Sequence, residues 1–332
     1  MNATSDANLG MHMLEIEITT RCNLSCKHCY NRTMQQVDMP VDKALHFAEF
    51  AVHNDVRFLV FTGGEASLHP EFDKICSLLK SFKPNDKSNT KFVLQTNGNI
   101  LNLNDMSQLT CFDVIHISFE PDNSQVRVTN LEHTKKLVDK LKSLNIRCYL
   151  FSTVHSQNID KMDWMVETAN SMNVDIGFNL CSDNKGNDDL LLSKKQFLEI
   201  SSKLNNLFKQ GKILRYSCPL TALLNDKKSD KYMGIRGGCT AGIAACSILP
   251  DGNVIPCPFL RVPVGNAFQE DMASIWNHAP IFNELRNRLS FDKPCGECEY
   301  LSYCGGCRKR ALEYSSKLTG IDPCCFKEQL LA

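Results

Sequence analysis

Neither sign of charge is in excess in this sequence, where 37 lysines and arginines face 37 aspartates and glutamates. A chain so balanced has no global field to hold nucleic acid and no polycationic tail for a membrane surface. It also lacks any run of the roughly 18–20 apolar residues that a membrane span needs. Residues 1–13 hold no continuous apolar core of the kind an export signal carries. Long internal repeats and low-complexity tracts are missing as well. These absences exclude nucleic-acid carriers and membrane proteins and point to a cytoplasmic protein that recognises its partners through a local site. Disorder is excluded too, because 43% of the 332 residues are hydrophobic. That is ample for a packed core and for roughly two domains of about 100–200 residues each.

What is abundant is cysteine. There are 17, an odd number in a chain without an export signal, and a reducing compartment makes a disulfide framework a poor explanation for them. The thiols are expected to serve metal. Seven lie at or before Cys181, three of those within eight residues (Cys22, Cys26, Cys29), and ten lie from Cys218 onward.

The first half repeats a short apolar run, a loop, and a stretch with apolar residues at helical spacing. Strands are expected at Leu14–Ile18, Arg57–Phe61, Lys91–Leu94, Val114–Ile117, Arg147–Phe151 and Asp175–Phe178. Helices are expected at Val41–His53, Leu131–Leu144 and Ile159–Met172, the last capped by Asn158. Six such parallel units wind right-handedly into an α/β fold, an open partial (β/α)6 barrel. A polar, turn-rich segment at 183–189 and a helix at Lys194–Lys209 follow. The expected division is an N-terminal extension at 1–13, the barrel over 14–215, and a small cysteine-rich domain over 216–332. In the latter, CSILPDGNVIPC reads as a hairpin turned at Asp251-Gly252, and the rest is too irregular to fold on apolar burial alone.

Parallel α/β sheets bind ligands at the carboxyl ends of their strands. After the first strand comes TTRCNLSCKHCY, with thiols spaced C-x3-C-x2-C; after the second, TGGE with Gly63, Gly64 and Glu65. The third is followed by QTNG with Asn97 and Gly98, the fourth ends at Ser118, and the fifth at Ser152 and Thr153. Three cysteinates on one loop can hold an iron–sulfur cubane by three irons and leave the fourth free for a ligand. They can equally form a zinc site completed by His28 or a distant residue. Two glycines let a ligand approach backbone that any Cβ would block, or simply form a tight βα turn, and Glu65 can meet a ligand ammonium.

CNLSCKHC, FTGGEASLHP and QTNG together resemble the radical S-adenosylmethionine (SAM) superfamily over the whole first domain. The resemblance implies a 4Fe-4S cluster on Cys22, Cys26 and Cys29, whose open iron binds SAM. Gly63, Gly64 and Glu65 would meet the methionine ammonium, Ser118 the SAM carboxylate or ribose, and Arg127 the carboxylate, with Asn97 and Ser152 completing the contacts. The implied reaction is one-electron reductive cleavage of SAM and hydrogen abstraction by a 5′-deoxyadenosyl radical. Two local departures stand out: Glu120-Pro121 where Asp-Gly is frequent, and Ala66 where proline is usual.

The C-terminal thiols are spaced C-x6-C-x10-C (Cys239, Cys246, Cys257), then C-x2-C-x5-C-x2-C (Cys295, Cys298, Cys304, Cys307), then Cys325. Eight thiols suffice for two zinc ribbons or two fully ligated clusters. This half resembles the SPASM extension of radical SAM enzymes, with Gly252 to Cys257 as its Gly-x4-Cys. The resemblance implies two auxiliary 4Fe-4S clusters with crossed ligation, for three in all. The nearer takes Cys239, Cys246, Cys257 and Cys307, and the farther Cys295, Cys298, Cys304 and Cys325. Cys246 has core packing as its alternative, and the adjacent Cys324 competes with Cys325. Cys76, Cys111, Cys148, Cys181 and Cys218 are expected to be buried small residues.

SPASM relatives mostly modify ribosomally made peptides, and the expectation is a radical SAM/SPASM oxidoreductase that crosslinks or oxidises such a peptide. The alternatives are a small-molecule dehydrogenase, epimerase or haem-pathway enzyme, the last favoured by CEYLSYCGGCRKRA with Asp322-Pro323; a zinc-bound adaptor is the remote one. Pro258 after Cys257 argues against the sulfatase-maturing subclass, which has an acidic residue there. An electron donor such as flavodoxin or ferredoxin is expected as partner. With the barrel beginning at Leu14, a separate protein is expected to present any leader peptide.

Overall fold

The computed structural model describes residues 10–31, 35–82, 89–121, 126–127, 129–181, 188–224 and 238–331, so most of the turn-rich segment at 183–189 lies outside it. Six strands follow one another in parallel: β1 (Met13–Thr19), β2 (Phe58–Gly63), β3 (Lys91–Thr96), β4 (Val114–Ser118), β5 (Arg147–Val154) and β6 (Ile176–Leu180). Between and after them run α1 (Val41–His53), α2 (Phe72–Leu79), α3 (Leu131–Ser143), α4 (Met162–Ser171) and α5 (Lys194–Lys209).

Period-two alternation decides which side chains meet those helices. Ile16, Phe61, Leu94, Ile117, Leu150 and Phe178 pack into one core with Phe47, Ile75, Leu137, Met165 and Ile200. The opposite, concave face carries Glu15, Glu17, Thr62, Gln95, His116 and Ser118, and Val60, Val93 and Val114 plug its lower end. Side chains start two helices. Asn130 accepts from the His133 N–H (3.0 Å) ahead of α3, and Ser193 and Gln196 form a reciprocal capping box on α5. Asn158 does not cap: its Oδ1 accepts from the His155 N–H (2.9 Å) and its Nδ2 donates to Glu120 (2.9 Å), because a buried carboxylate competes for it.

Past residue 214 the sheet continues. β7 (Arg215–Ser217) extends it in parallel beyond β6. The hairpin of β8 (Ala245–Ile248) and β9 (Asn253–Ile255), with Gly252 in the turn at φ +87°, lays β8 parallel against the free edge of β1. β10 (Gly265–Asn266) completes a ten-stranded sheet in the order β10-β9-β8-β1-β2-β3-β4-β5-β6-β7. An uncovered β1 would expose a row of unpaired amides, and the hairpin removes that edge. The chain ends in α6 (Met272–His278), α7 (Pro280–Arg286), α8 (Arg308–Ser315) and α9 (Lys327–Leu331). Among the described residues no helix is long and apolar enough to cross a membrane.

Candidate functional site

The cysteine loop leaves the carboxyl end of β1 and is fastened on three sides. Thr20 N–H donates to the Val37 carbonyl (2.9 Å), and Arg21 Nε donates to both Asp38 oxygens (2.9 and 3.0 Å). Lys27 N–H reaches the Val126 carbonyl (2.9 Å), and Asn97 Nδ2, beyond β3, donates to Asn23 Oδ1 (2.9 Å). Within the loop Cys29 N–H turns back onto the Cys26 carbonyl (3.1 Å). Burial pushes the Cys22 and Cys29 thiols up, and Cys26 adds to the rise at both, while Arg127 opposes it. Burial disfavours the thiolate at Cys22 and Cys29 unless a cation takes the charge, and with Cys26 on the same loop the donor set fits a thiolate-bound metal cluster. His28, 7% exposed, stacks on His155 with ring centroids 6.1 Å apart.

The GGE turn serves this loop directly. A Cβ on Gly63 would come within 2.2 Å of the Thr19 carbonyl oxygen, and one on Gly64 within 2.3 Å of that of Arg21. The glycines therefore make room for the chain itself, and the turn's amides use the closeness: Gly64 N–H donates to Thr19 (2.8 Å) and Glu65 N–H to Arg21 (2.7 Å). The Glu65 carboxylate, 1% exposed, is also occupied. Its Oε1 accepts from Ser67 Oγ (2.6 Å), Ser67 N–H (3.3 Å) and Thr96 Oγ1 (2.7 Å), and its Oε2 from Asn97 N–H (2.6 Å). Glu65 thus ties the ends of β2 and β3 together beneath the cysteine loop.

Ser118 ends β4 on the concave face, half-buried and level with Phe151 of β5. Ser152 points the other way. Its hydroxyl is buried against Met165 Sδ (3.1 Å), so Thr153 is the fifth-strand residue on the concave side. Arg127 stands within electrostatic reach of Cys22, Cys29 and Glu120. Glu120 was not singled out as a site residue, yet it is 1% exposed, accepting from Thr153 N–H (3.1 Å) and Asn158 Nδ2. Burial pushes its carboxyl up to about 7, against the pull of Arg127 and these hydrogen bonds. His155 lies 4.0 Å from it, and burial pushes that imidazole down to about 4.

Sequence reading also passed over the acids of β1. In LEIEI the charged residues alternate with apolar ones, a pattern that could have flagged them as concave-facing. Glu17, fully buried, receives Arg261 through two hydrogen bonds (2.7 and 3.1 Å) that join positions 244 residues apart. The same guanidinium lies 5.6 Å from the ring centroid of Tyr30, next to Cys29, and Tyr30 meets Phe259 edge-on at 5.1 Å, two residues past Cys257. The first cysteine loop and the Gly-x4-Cys loop therefore touch. Burial and Glu17 push the Glu15 carboxyl up to about 8, with Arg261 and Arg215 opposing.

The C-terminal thiols gather in two groups. Burial pushes Cys257 up to about 12, with Cys239 and Cys307 as its thiol neighbours. Burial also pushes Cys304 up to about 12, with Cys325 and Cys218 nearby, and Cys295 rises beside Cys325 and Cys298. Cys246 joins neither group. It lies on β8 level with Leu14, is 1% exposed, packs in the main core, and has Arg286 and Glu15 as its charged neighbours. Strand alternation turns it to the helix side, the placement of the core-packing alternative. Cys76, Cys111, Cys148, Cys181 and Cys218 are all buried. A surface depression lined by Lys142, Asn145, Cys148 and Asp175 opens at the other end of β5 and β6, away from the first cysteine loop.

The radical SAM superfamily description matches residues 16–169, and that of an iron–sulfur cluster-binding domain, SPASM, matches residues 239–307. An AdoMet-dependent heme synthase of Methanosarcina barkeri is 24% identical, over 93% of this chain and 95% of its own length. A PqqA peptide cyclase of Gluconobacter oxydans is 26% identical, over 93% and 88%. Among solved structures, SuiB of Streptococcus suis bound to its precursor peptide SuiA superposes with a TM-score of 0.77 at 17% identity, over 95% of this chain and 76% of that one. The partial barrel, the cysteine loop at its strand ends and the cysteine-rich C-terminal segment make this chain a radical SAM enzyme of the SPASM type, which binds SAM, a 4Fe-4S cluster and further iron–sulfur clusters.

Proposed function

We propose that the protein is an oxidoreductase that abstracts a hydrogen atom from a ribosomally made peptide, in a reducing cytoplasm and with a flavodoxin or ferredoxin as reductant. The observation that carries this reading is the junction of the cysteine loop with the GGE and QTNG turns, all at the carboxyl ends of β1, β2 and β3. Cys22, Cys26 and Cys29 hold the first cluster. Gly64 and Glu65 fix the loop that carries it, Asn97 closes it from β3, and Ser118 and Arg127 face the SAM carboxylate and ribose. Bound at these thiols, the clusters would supply the electron that cleaves SAM and accept the one left after hydrogen abstraction.

Three clusters are part of the proposal, as is a division into a barrel over 14–215 and a SPASM domain over 216–332 that shares its sheet. The peptide reading draws support from the concave face along β7, where Ser217 is exposed among the described residues and Arg215 lies over the Phe151 ring, and from the likeness to a fold that holds a precursor peptide. A separate leader-presenting protein would complete the system. The near end-to-end match with a heme synthase favours a second reading, a small-molecule tetrapyrrole substrate.

Deuterium transfer separates the two. Reconstituted enzyme is given unlabelled SAM, reductant and size-fractionated extract of deuterated host cells, and the 5′-deoxyadenosine is weighed. Label arriving with the peptide fraction supports the proposal; label arriving only with small molecules replaces it by the second reading.

A further inference from the structure

We infer that the adjacent Cys324 and Cys325 bind different clusters: Cys324 supplies the fourth thiolate of the nearer one, the place Cys246 does not fill, and Cys325 serves the farther one. This rests on the two-cluster reading of the C-terminal domain. The nearer group has three thiols in mutual reach, Cys239, Cys257 and Cys307. A cubane held by three thiolates keeps one iron open, and a fourth nearby thiol closes it.

Cys246 is poorly placed for that. β8 is paired on both sides, with Ser247 level with Glu15 on the concave face and Cys246 level with Leu14 on the helix face. Reversing its direction means slipping the strand by one residue, which would turn Ile248 and Ala245 as well.

Cys324 is placed by a single carboxylate. Asp322 Oδ2 accepts from the Cys307 N–H (2.7 Å) and Oδ1 from the Cys324 N–H (3.0 Å), so one side chain holds both residues. Arg310 fixes that carboxylate with two hydrogen bonds (2.8 and 2.6 Å). The Cys324 thiol is half-buried and has Cys307 among its charged neighbours. Cys325 N–H donates to the Asp322 carbonyl (3.0 Å), and Cys325 has Cys295 and Cys304 as its thiol neighbours where Cys324 has Cys307. The outcome is two sets of four: Cys239, Cys257, Cys307 and Cys324, then Cys295, Cys298, Cys304 and Cys325.

The test uses the reconstituted holoenzyme with SAM present. Each protein is oxidised anaerobically with ferricyanide, which strips an iron held by no thiolate, and the three-iron cluster is counted by electron paramagnetic resonance. Wild type should give at most about one three-iron cluster per chain, from the SAM-binding site. Cys324→Ala should add about one more, Cys246→Ala none, and the double variant no more than Cys324→Ala alone. A gain in Cys246→Ala without one in Cys324→Ala overturns the inference, and so do two three-iron clusters in wild type or no gain in either variant. Wild-type protein that takes up no iron would instead defeat the functional reading on which the inference stands.

Discussion

Between the sheet of the barrel and its helices the buried side chains are Ile16, Phe61, Ile117, Phe178 and their like, while between residues 295 and 325 the most deeply buried side chains include Arg308, Lys309, Arg310 and Asp322. The helix side of the barrel hides hydrocarbon, its acids being confined to the concave face and the strand ends, and the second region hides charge among its thiols. Apolar burial at about 25 cal/mol per Å2 can organise the parallel sheet without help, and its cysteine loop hangs on that finished scaffold. Buried ions gain little net stability even when well paired, and the C-terminal segment has few apolar residues to offset that. It arranges thiols instead around Asp322, Arg310 and Arg308, which donates to the Leu318 and Gly320 carbonyls (2.7 and 2.8 Å). On the proposed ligand sets, metal would be a passenger on the barrel and a structural core in the tail, and the same substitution should behave differently in the two.

The sharpest contrast is between cysteines. Cys22→Ala, Cys26→Ala or Cys29→Ala should reduce SAM cleavage to background while leaving the melting temperature within about 2 °C, since these thiols hang on a loop outside the core. Cys298→Ala should cost the C-terminal domain its iron and its fold, seen as rapid proteolysis beyond residue 239 with the barrel intact. A stable tail with unchanged iron would erase the contrast. Asp322→Asn, which strands Arg310 as a buried, uncompensated cation, should cost about 3 kcal/mol in urea unfolding, and a loss below about 1 kcal/mol would show that the clamp is incidental.

The smaller effects belong to the barrel. Burial raises the folded pKa of Glu120 from 4.5 to about 7, so the native state holds that proton more tightly than the unfolded chain. Its contribution is thus fully present below about pH 4.5 and is lost as pH rises through about 7, by at most about 3 kcal/mol. Urea midpoints at pH 5 and pH 8 should show wild type losing stability relative to Glu120→Gln; a constant difference would refute the shift. Glu65→Gln turns one of the two oxygens that accept from Thr96 and Asn97 into a donor, and it should weaken SAM binding about tenfold through the loop it supports. An unchanged dissociation constant would mean that the carboxylate is dispensable.

Much of this was legible in the sequence, and the limits have physical causes. Strands β1 to β6 and helices α1 and α5 follow from local periodicity, because each side of a parallel strand is read by its own neighbours. The cysteine loop was visible for the same local reason, its spacing being short and its position just past an apolar run. What stayed hidden was long-range. Nothing near residue 245 announces that β8 will pair with β1, and without that pairing the direction of Cys246 is undetermined. Ser152 was one residue out for a related reason, since a strand end places only alternate side chains on the concave face. Glu17 with Arg261, and Asp322 with Cys307, are contacts between distant segments that no spacing encodes.

The most direct test of the central claim is anaerobic reconstitution followed by reduction in the presence of SAM, with iron, zinc and 5′-deoxyadenosine all measured on one preparation. The account predicts about twelve irons per chain, little zinc, and 5′-deoxyadenosine that disappears in Cys26→Ala. Stoichiometric zinc with little iron and no nucleoside released would contradict it.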